Sequence, residues 1–398
     1  MLFRRRRIYL DHASATPILE SAVRAMRTAE KLIGNPGSIH DEGVQASRSL
    51  ESSRARIVAV LACKPREIIF TSGITESNNL AILGMFKKLI LGGSTAKHTH
   101  WITSSIEHAS VLACFEHIKQ MGGIVSFVHP DARGVVSAEA IQKELKKETV
   151  LVSIGWANNE IGVIQPLSEI SRVIRGHEKK HGTAVALHSD AGQVPLYLPA
   201  TVNSLGVDLF SLGAAKIYGP HGIGALCITG KAEPAPIILG GEQERGLRSG
   251  TENVALAAGF AEAFECIARE RAGESKRLSL LRDMLARGLA SGIPGVVTNG
   301  EPKHSLPHML NVSVPGISGE YFVLSLDRAG IFISTKSACG EGTEKSSHVI
   351  AALGGEAWRA QNSLRFSLGR NTTERDIERV IKECVNIIST LAAANSHH

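Results

Sequence analysis

No CxxC pair occurs among the six cysteines of this sequence: Cys63, Cys114, Cys227, Cys266, Cys339 and Cys384 are scattered without zinc-ligand spacing. That excludes a zinc module, and cysteines so dispersed read as free thiols in a reducing compartment. No apolar run approaches the roughly 20 residues of a membrane helix, and the N-terminus lacks the apolar core of a signal peptide. The expectation is therefore a cytoplasmic protein with no membrane partner. The net positive charge is modest. Of the formal +6, four charges come from the run "RRRR" at Arg4 to Arg7, leaving about +2 for the rest. A nucleic-acid face needs many clustered cations with aromatic interleaving, so no direct nucleic-acid binding is expected and the run reads as a solvated tail. Internal repeats and low-complexity segments are absent.

What is present is a composition of 43% hydrophobic and 21% charged residues over 398 positions, which suits a soluble globular protein of about two domains. From about Ser38 the pattern alternates. "VQASRSLESSRARIVAVLA" is helical, "EIIFTSG" is a short apolar run ending in a glycine turn, and "TESNNLAILGMFKKLIL" is helical again. The cycle continues through "HWITSSIEH", "SVLACFEHIKQMG", "IVSFVHP", "AEAIQKELKK" and "TVLVSIGWANNE", then "ALHSDAGQ" and "LFSL". Such alternation predicts an α/β fold with a mostly parallel sheet covered on both faces. It ends near residue 260. A long charged helix, Ala257 to Gly292, then leads into a smaller α+β unit with strand candidates "HMLNVSVP", "IFIST" and "NSLRFSLG" and a closing helix, "TERDIERVIKECVNIISTLAAA".

Candidate chemistry gathers at the strand ends. In "DLFSLGAAKIYGPHGIGAL" the single lysine, Lys216, sits among small and apolar residues. An amine so placed has its ammonium form disfavoured and becomes a nucleophile toward carbonyl compounds, or else it snorkels to solvent. In "FTSGITESNNLAI" a strand, the turn at Gly73 and a helix opening with Thr75 make an anion site, with a phosphate group as guest, or merely a capped helix. "HSDAGQ" puts Asp190 near the C-terminal edge of a central strand, where ligands bind in open α/β sheets. A lysine to hold an aldehyde as a Schiff base, with a carboxylate to keep a pyridine nitrogen protonated, is what pyridoxal phosphate requires. His108 in "SIEHAS" and Asn158 with Asn159 in "WANNEIGVIQP" follow two further strands. Four polar groups at successive strand ends, together with the phosphate turn, point to one site.

The segments "YLDHASATP", "NPGSIH", "FTSGITESNN", "EHASV", "NNEIGVIQP", "HSDAGQ", "KIYGPHGIGAL", "RSGTEN", "KSAC" and "RFSLGR" carry a resemblance over nearly the whole chain, from Tyr9 to about Leu391. In order and spacing the sequence resembles the cysteine desulfurases, in the class V aminotransferase group of fold-type I pyridoxal phosphate enzymes. "RSGT" with a "SAC" cysteine is similar to the group I members that supply sulfur for iron–sulfur clusters and tRNA thiolation. The resemblance implies a large cofactor-binding domain, 18–260, with a mostly parallel seven-stranded sheet. It also implies a small domain, 1–17 and 261–398, carrying the loop of the catalytic cysteine. It implies a homodimer as well, with an iron–sulfur scaffold or other sulfur-acceptor protein as a possible partner and no metal.

Roles follow from the same resemblance. Lys216 would hold the cofactor aldehyde and move the substrate α-proton, Asp190 would pair with the pyridinium nitrogen, and His108 would stack on the ring and assist proton transfers. Gln193 and Asn158 would hydrogen-bond around the cofactor's phenolic oxygen and the substrate. Gly73, Ile74 and Thr75 would hold the phosphate with the helix N-terminus, helped by Thr251 of a second subunit. Arg365 would clamp the carboxylate of L-cysteine, with Asn35 sharing that task. Cys339 would take the sulfur, its thiolate favoured by Lys336 three residues away.

The chain departs from the family at two positions. A serine usually stands three residues before the lysine and a histidine directly before it, and both contact the phosphate; here they are Gly213 and Ala215. The loss would weaken cofactor affinity by a few kcal/mol, with Ser211 a candidate replacement. Either the imine compensates, or other residues hold the phosphate, or the chain is a non-catalytic, desulfurase-like partner. A selenocysteine lyase or another class V enzyme is a further alternative.

Overall fold

The computed structural model describes residues 6–230, 232–335 and 346–395. Its strands are β1 (Ile8–Tyr9), β2 (Ile68–Thr71), β3 (His100–Ser104), β4 (Ile124–Val128), β5 (Thr149–Ser153), β6 (Ala186–Asp190), β7 (Leu209–Gly213), β8 (Gly224–Ile228), β9 (Val297–Thr298), β10 (Met309–Ser313), β11 (Ile331–Phe332) and β12 (Ser363–Ser367). Seven of them form one sheet in the order β2-β8-β7-β6-β5-β3-β4. Only β8 runs against its neighbours; the other pairings are parallel. The central strands are largely buried because helices cover both faces. In β2 and β3 every residue is buried. One core cluster joins Ile68, Phe210 and Phe366; a second, with Ile69, Phe86, Trp101 and Phe115, fills the other side. Each such side chain contributes roughly 1.5–3 kcal/mol by leaving water.

The expected alternation is what the chain builds. The helix Asp41–Leu61 is capped by His40, whose ring accepts from Gly43 N–H, and it ends at Ala62 in a left-handed conformation (φ 54°). The helix Ile74–Leu91 follows Gly73 directly. The long helix runs Val254–Gly292, three residues earlier than its periodicity suggested, because Asn253 caps it through Leu256 N–H. It packs on the helices Glu20–Ala29, Asp41–Leu61 and Glu374–Asn395 and so ties the ends of the chain together.

The remaining strands form β12-β10-β9, antiparallel, and the parallel pair β1-β11. β1 carries the N-terminal segment into that region, and a bridge between Asp11 and Ser367 lays it along β12. This seam positions Arg365, in β12, beside Asp11. Among the described residues no helix is long and apolar enough to cross a membrane.

Candidate active site

The C-terminal ends of the parallel strands open into one cavity of about 350 Å³, within the range of small-ligand sites. Its wall is made by the segments following β2, β3, β5, β6 and β7. These bring Gly73, Ile74, Thr75, His108, Asn158, Asp190, Gln193 and Lys216 together, and Arg365 closes the wall from β12.

Asp190 ends β6. Its Oδ1 accepts from Gly192 N–H at 2.9 Å and its Oδ2 from Asn78 Nδ2 at 2.8 Å. His108 caps the helix Ala109–Gln120, its Nδ1 accepting from Ser110 N–H at 3.1 Å. Burial, then the nearby Lys216, lowers the His108 pKa, while Asp190 opposes that shift. Lys216 closes the single turn Ala214–Lys216 after β7 and is half-buried, in the lining of the cavity.

At the helix end of the cavity Gly73 supplies no side-chain cap, which leaves first-turn N–H groups for an anion. Gly213 and Ala215 face the cavity without polar side chains. A Cβ at Gly213 would lie 2.5 Å from Ile74 Cγ1 and one at Gly192 2.6 Å from Ile74 Cδ1. Ile74 therefore fills the space that a side chain at 213 would need, and the loss of polar groups there is bound up with the branched residue that opens the helix.

Arg365 is buried. Its Nη2 donates to Asp11 Oδ1 at 2.8 Å and Ser14 Oγ at 2.7 Å, and its Nη1 to the Asn159 carbonyl at 2.9 Å. Gln193 donates to the Ala13 carbonyl at 2.9 Å. Asn158 spends most of its amide on the backbone: Nδ2 donates to Ile106 O at 2.7 Å, and Oδ1 accepts from the N–H groups of Glu160 and Ile161. One N–H of Asn158 is then left for a ligand.

The structure does not bring every candidate here. Ser211 lies inside the sheet two residues before the strand end, where its hydroxyl meets His188 Nε2 at 3.0 Å, so its assignment to the phosphate is corrected. Asn35 is exposed and accepts from Gly37 N–H at 2.9 Å, and Thr251 is exposed; neither lines the cavity of this chain. Cys339 and Lys336 lie outside the described residues. Of the other cysteines, Cys114, Cys227 and Cys384 are buried, and Cys63 and Cys266 are half-buried. Sequence reasoning missed Glu107, a buried carboxyl in the cavity wall, as well as Asn78, Ser110 and Asp11. All four stand inside the quoted motifs, and Asn78 lies one helical turn beyond Ile74, which was signal enough to find it.

A lysine amine, a carboxylate held by two donors and an uncapped helix N-terminus around one cavity are a donor set that fits pyridoxal phosphate. Residues 8–380 match the family Aminotransferase class-V. The chain is 38% identical to cysteine desulfurase IscS of Dictyoglomus turgidum, over 97% of this chain and 96% of that protein. To cysteine desulfurase IscS 1 of Archaeoglobus fulgidus it is 39% identical, over 96% and 97%. The structure of a NifS-like protein superposes with a TM-score of 0.89 at 34% identity, covering 97% of this chain and all of the other. SspA, solved in complex with cysteine, gives 0.77 at 29% identity, over 91% and 98%. A match of this extent, on a cavity with this donor set, shows that the chain belongs to the class V aminotransferase family, among relatives that are cysteine desulfurases.

Proposed function

We propose that this protein is a pyridoxal phosphate-dependent cysteine desulfurase that converts L-cysteine to L-alanine and leaves the sulfur on Cys339 as a persulfide. The observation that carries the reading is that Lys216, Asp190, His108 and Arg365, separated widely in sequence, line a single cavity. Pyridoxal phosphate, when bound, supplies an aldehyde for the substrate amine and a ring that draws electrons from Cα. Lys216 would hold that aldehyde at rest and then move the proton at Cα. Asp190 would pair with the ring nitrogen and keep it protonated. Arg365 takes the substrate carboxylate, its fork already oriented by Asp11, Ser14 and Asn159. In the sulfur step the Cβ–S bond breaks, Cβ gains a hydrogen, and a new S–S bond forms at Cys339. One thiol of substrate and one of enzyme thus give alanine and one persulfide, with no outside oxidant.

The helix N-terminus at Gly73, Ile74 and Thr75 would hold the phosphate. Thr251 of a second subunit completes this grip, and Asn35 likewise serves a site built across a homodimer; both are exposed in the single chain. The division into 18–260 and 1–17 with 261–398 is the arrangement we propose, supported by the pairing of β1 with β11. The persulfide serves iron–sulfur assembly or tRNA thiolation in the cytoplasm, through an acceptor protein. The test is Cys339→Ala. Mass spectrometry of the wild type after L-cysteine should show one added sulfur at Cys339, absent in the variant. Undiminished sulfur release by Cys339→Ala would instead favour a lyase.

A further inference from the structure

Asp190 and His108 are joined by a hydrogen-bonded chain to which the proposed reaction gives no role. Asn78 donates one Nδ2 hydrogen to Asp190 Oδ2 at 2.8 Å and the other to Ser110 Oγ at 2.9 Å. Ser110 Oγ in turn lies 2.8 Å from His108 Nδ1, the atom that also receives the Ser110 backbone N–H. The directions follow from the donors. A backbone N–H only donates, so Nδ1 presents a lone pair; the Ser110 hydroxyl accepts from Asn78 and so has its own hydrogen to give to Nδ1. A neutral His108 ring then keeps its proton on Nε2. Asn78 is fully buried, and its Oδ1 has no hydrogen-bond partner among the described residues. A buried carbonyl left so is costly, and the arrangement serves Asp190 and Ser110 rather than Asn78 itself.

We propose that Asn78 and Ser110 are positioning residues that set the Asp190 carboxyl and the Nε2–H tautomer of His108 as one unit. The proposal rests on the reading of this cavity as a pyridoxal phosphate site. Its consequence is a division of labour. Protonation of His108 at Nδ1 would face two donors, so His108 serves as a hydrogen-bond donor through Nε2 and the moving proton belongs to Lys216. The charged groups around His108 are Asp190 and Glu160, which favour the imidazolium, and Lys216 and His348, which oppose it. Its chain neighbour Glu107 is committed to Ser104 and Gly155.

The test uses protein labelled with ¹⁵N in the histidine rings, with and without pyridoxal phosphate, and the His108→Gln variant to assign the signal. The expected spectrum has an unprotonated Nδ1 and a protonated Nε2 in both states. Ser110→Ala removes a hydrogen bond to the neutral ring, so the midpoint for His108 protonation should rise by about half to one pH unit, and Ser110→Thr should restore it. Asn78→Leu, of similar volume, should weaken cofactor binding about tenfold in an absorbance titration while Lys216 stays intact. An unmoved midpoint in folded Ser110→Ala, or an Nδ1–H tautomer in the wild type, overturns the inference even where cofactor uptake is normal. Failure of the wild type to take up the cofactor overturns the reading of the cavity, and the inference with it.

Discussion

Glu107 places an ionisable group where a neutral one is favoured. It accepts from Ser104 Oγ at 2.6 Å and from Gly155 N–H at 2.9 Å, yet burial pushes its pKa up to about 7 against those bonds, with Asp190 adding to the rise. Between about 4.5 and 7 the folded chain therefore holds a proton that the unfolded chain has lost. Stability falls as pH rises through that window, by at most about 1.4 kcal/mol per unit, and the contribution is fully present only below it. The buried histidines His12, His100 and His188, all lowered to about 4 chiefly by burial, act in the opposite sense as pH falls from 6.5, so the effect is visible only as a difference between variants. In thermal denaturation the stability of Glu107→Gln relative to wild type should rise steadily as pH increases through this window and level off above pH 7; parallel profiles would remove Glu107 as the cause. Arg365 yields a kinetic prediction. Lysine cannot reproduce its three-way anchorage, so Arg365→Lys should raise KM for L-cysteine at least about tenfold with a smaller change in kcat. An unchanged KM would take Arg365 out of substrate binding.

The turn Gln243–Gly246 shows what holds an element that sequence patterns do not reveal. Glu244 and Arg245 both have left-handed backbones, φ 46° and 58°, a strained choice for side chains with a Cβ. The strain is held by a buried ion pair: Arg54 Nη2 donates to Glu244 Oε1 at 2.8 Å and Nη1 to Oε2 at 2.9 Å, while Phe70 N–H also donates to Oε2. Both side chains are nearly inaccessible, at 5% and 2%. Glu244→Ala would strand the guanidinium and should cost about 3–5 kcal/mol in denaturant unfolding, whereas an apolar replacement of both partners should cost much less. A small loss in the single variant would mean that water already reaches the pair. Periodicity made the helices and most strands legible, since apolar runs of four or five and helical stripes are local. The partnership of Arg54 with Glu244 spans the whole of the large sheet's sequence and left no local trace. Nor did the reversal of β8, which has the same apolar pattern as its parallel neighbours, or the parallel pairing of β1 with the distant β11.

At the scale of the whole molecule, the single chain leaves Ile33, Ile39 and Leu239 exposed at 84%, 99% and 74%, in segments next to Asn35 and before Thr251. Large apolar side chains so exposed near two unplaced site candidates suit the proposed homodimer. Sedimentation should find a dimer, and Ile39→Asp should shift it toward monomer and weaken cofactor binding; a monomeric wild type with full affinity would refute this. The cavity itself was legible as a set of strand-end motifs, because an open α/β sheet gathers its ligands at one edge. The filling of the 213 position by Ile74 was not, because it depends on packing between two strand-end turns. Cofactor uptake decides the central claim. Titration of the purified protein with pyridoxal phosphate, followed by absorption, should produce a visible band that is absent in Lys216→Ala and is perturbed when L-cysteine is added, with alanine released. No Lys216-dependent band at saturating cofactor would mean that Gly213 and Ala215 have ended the chemistry, and that the chain works as a binding partner instead.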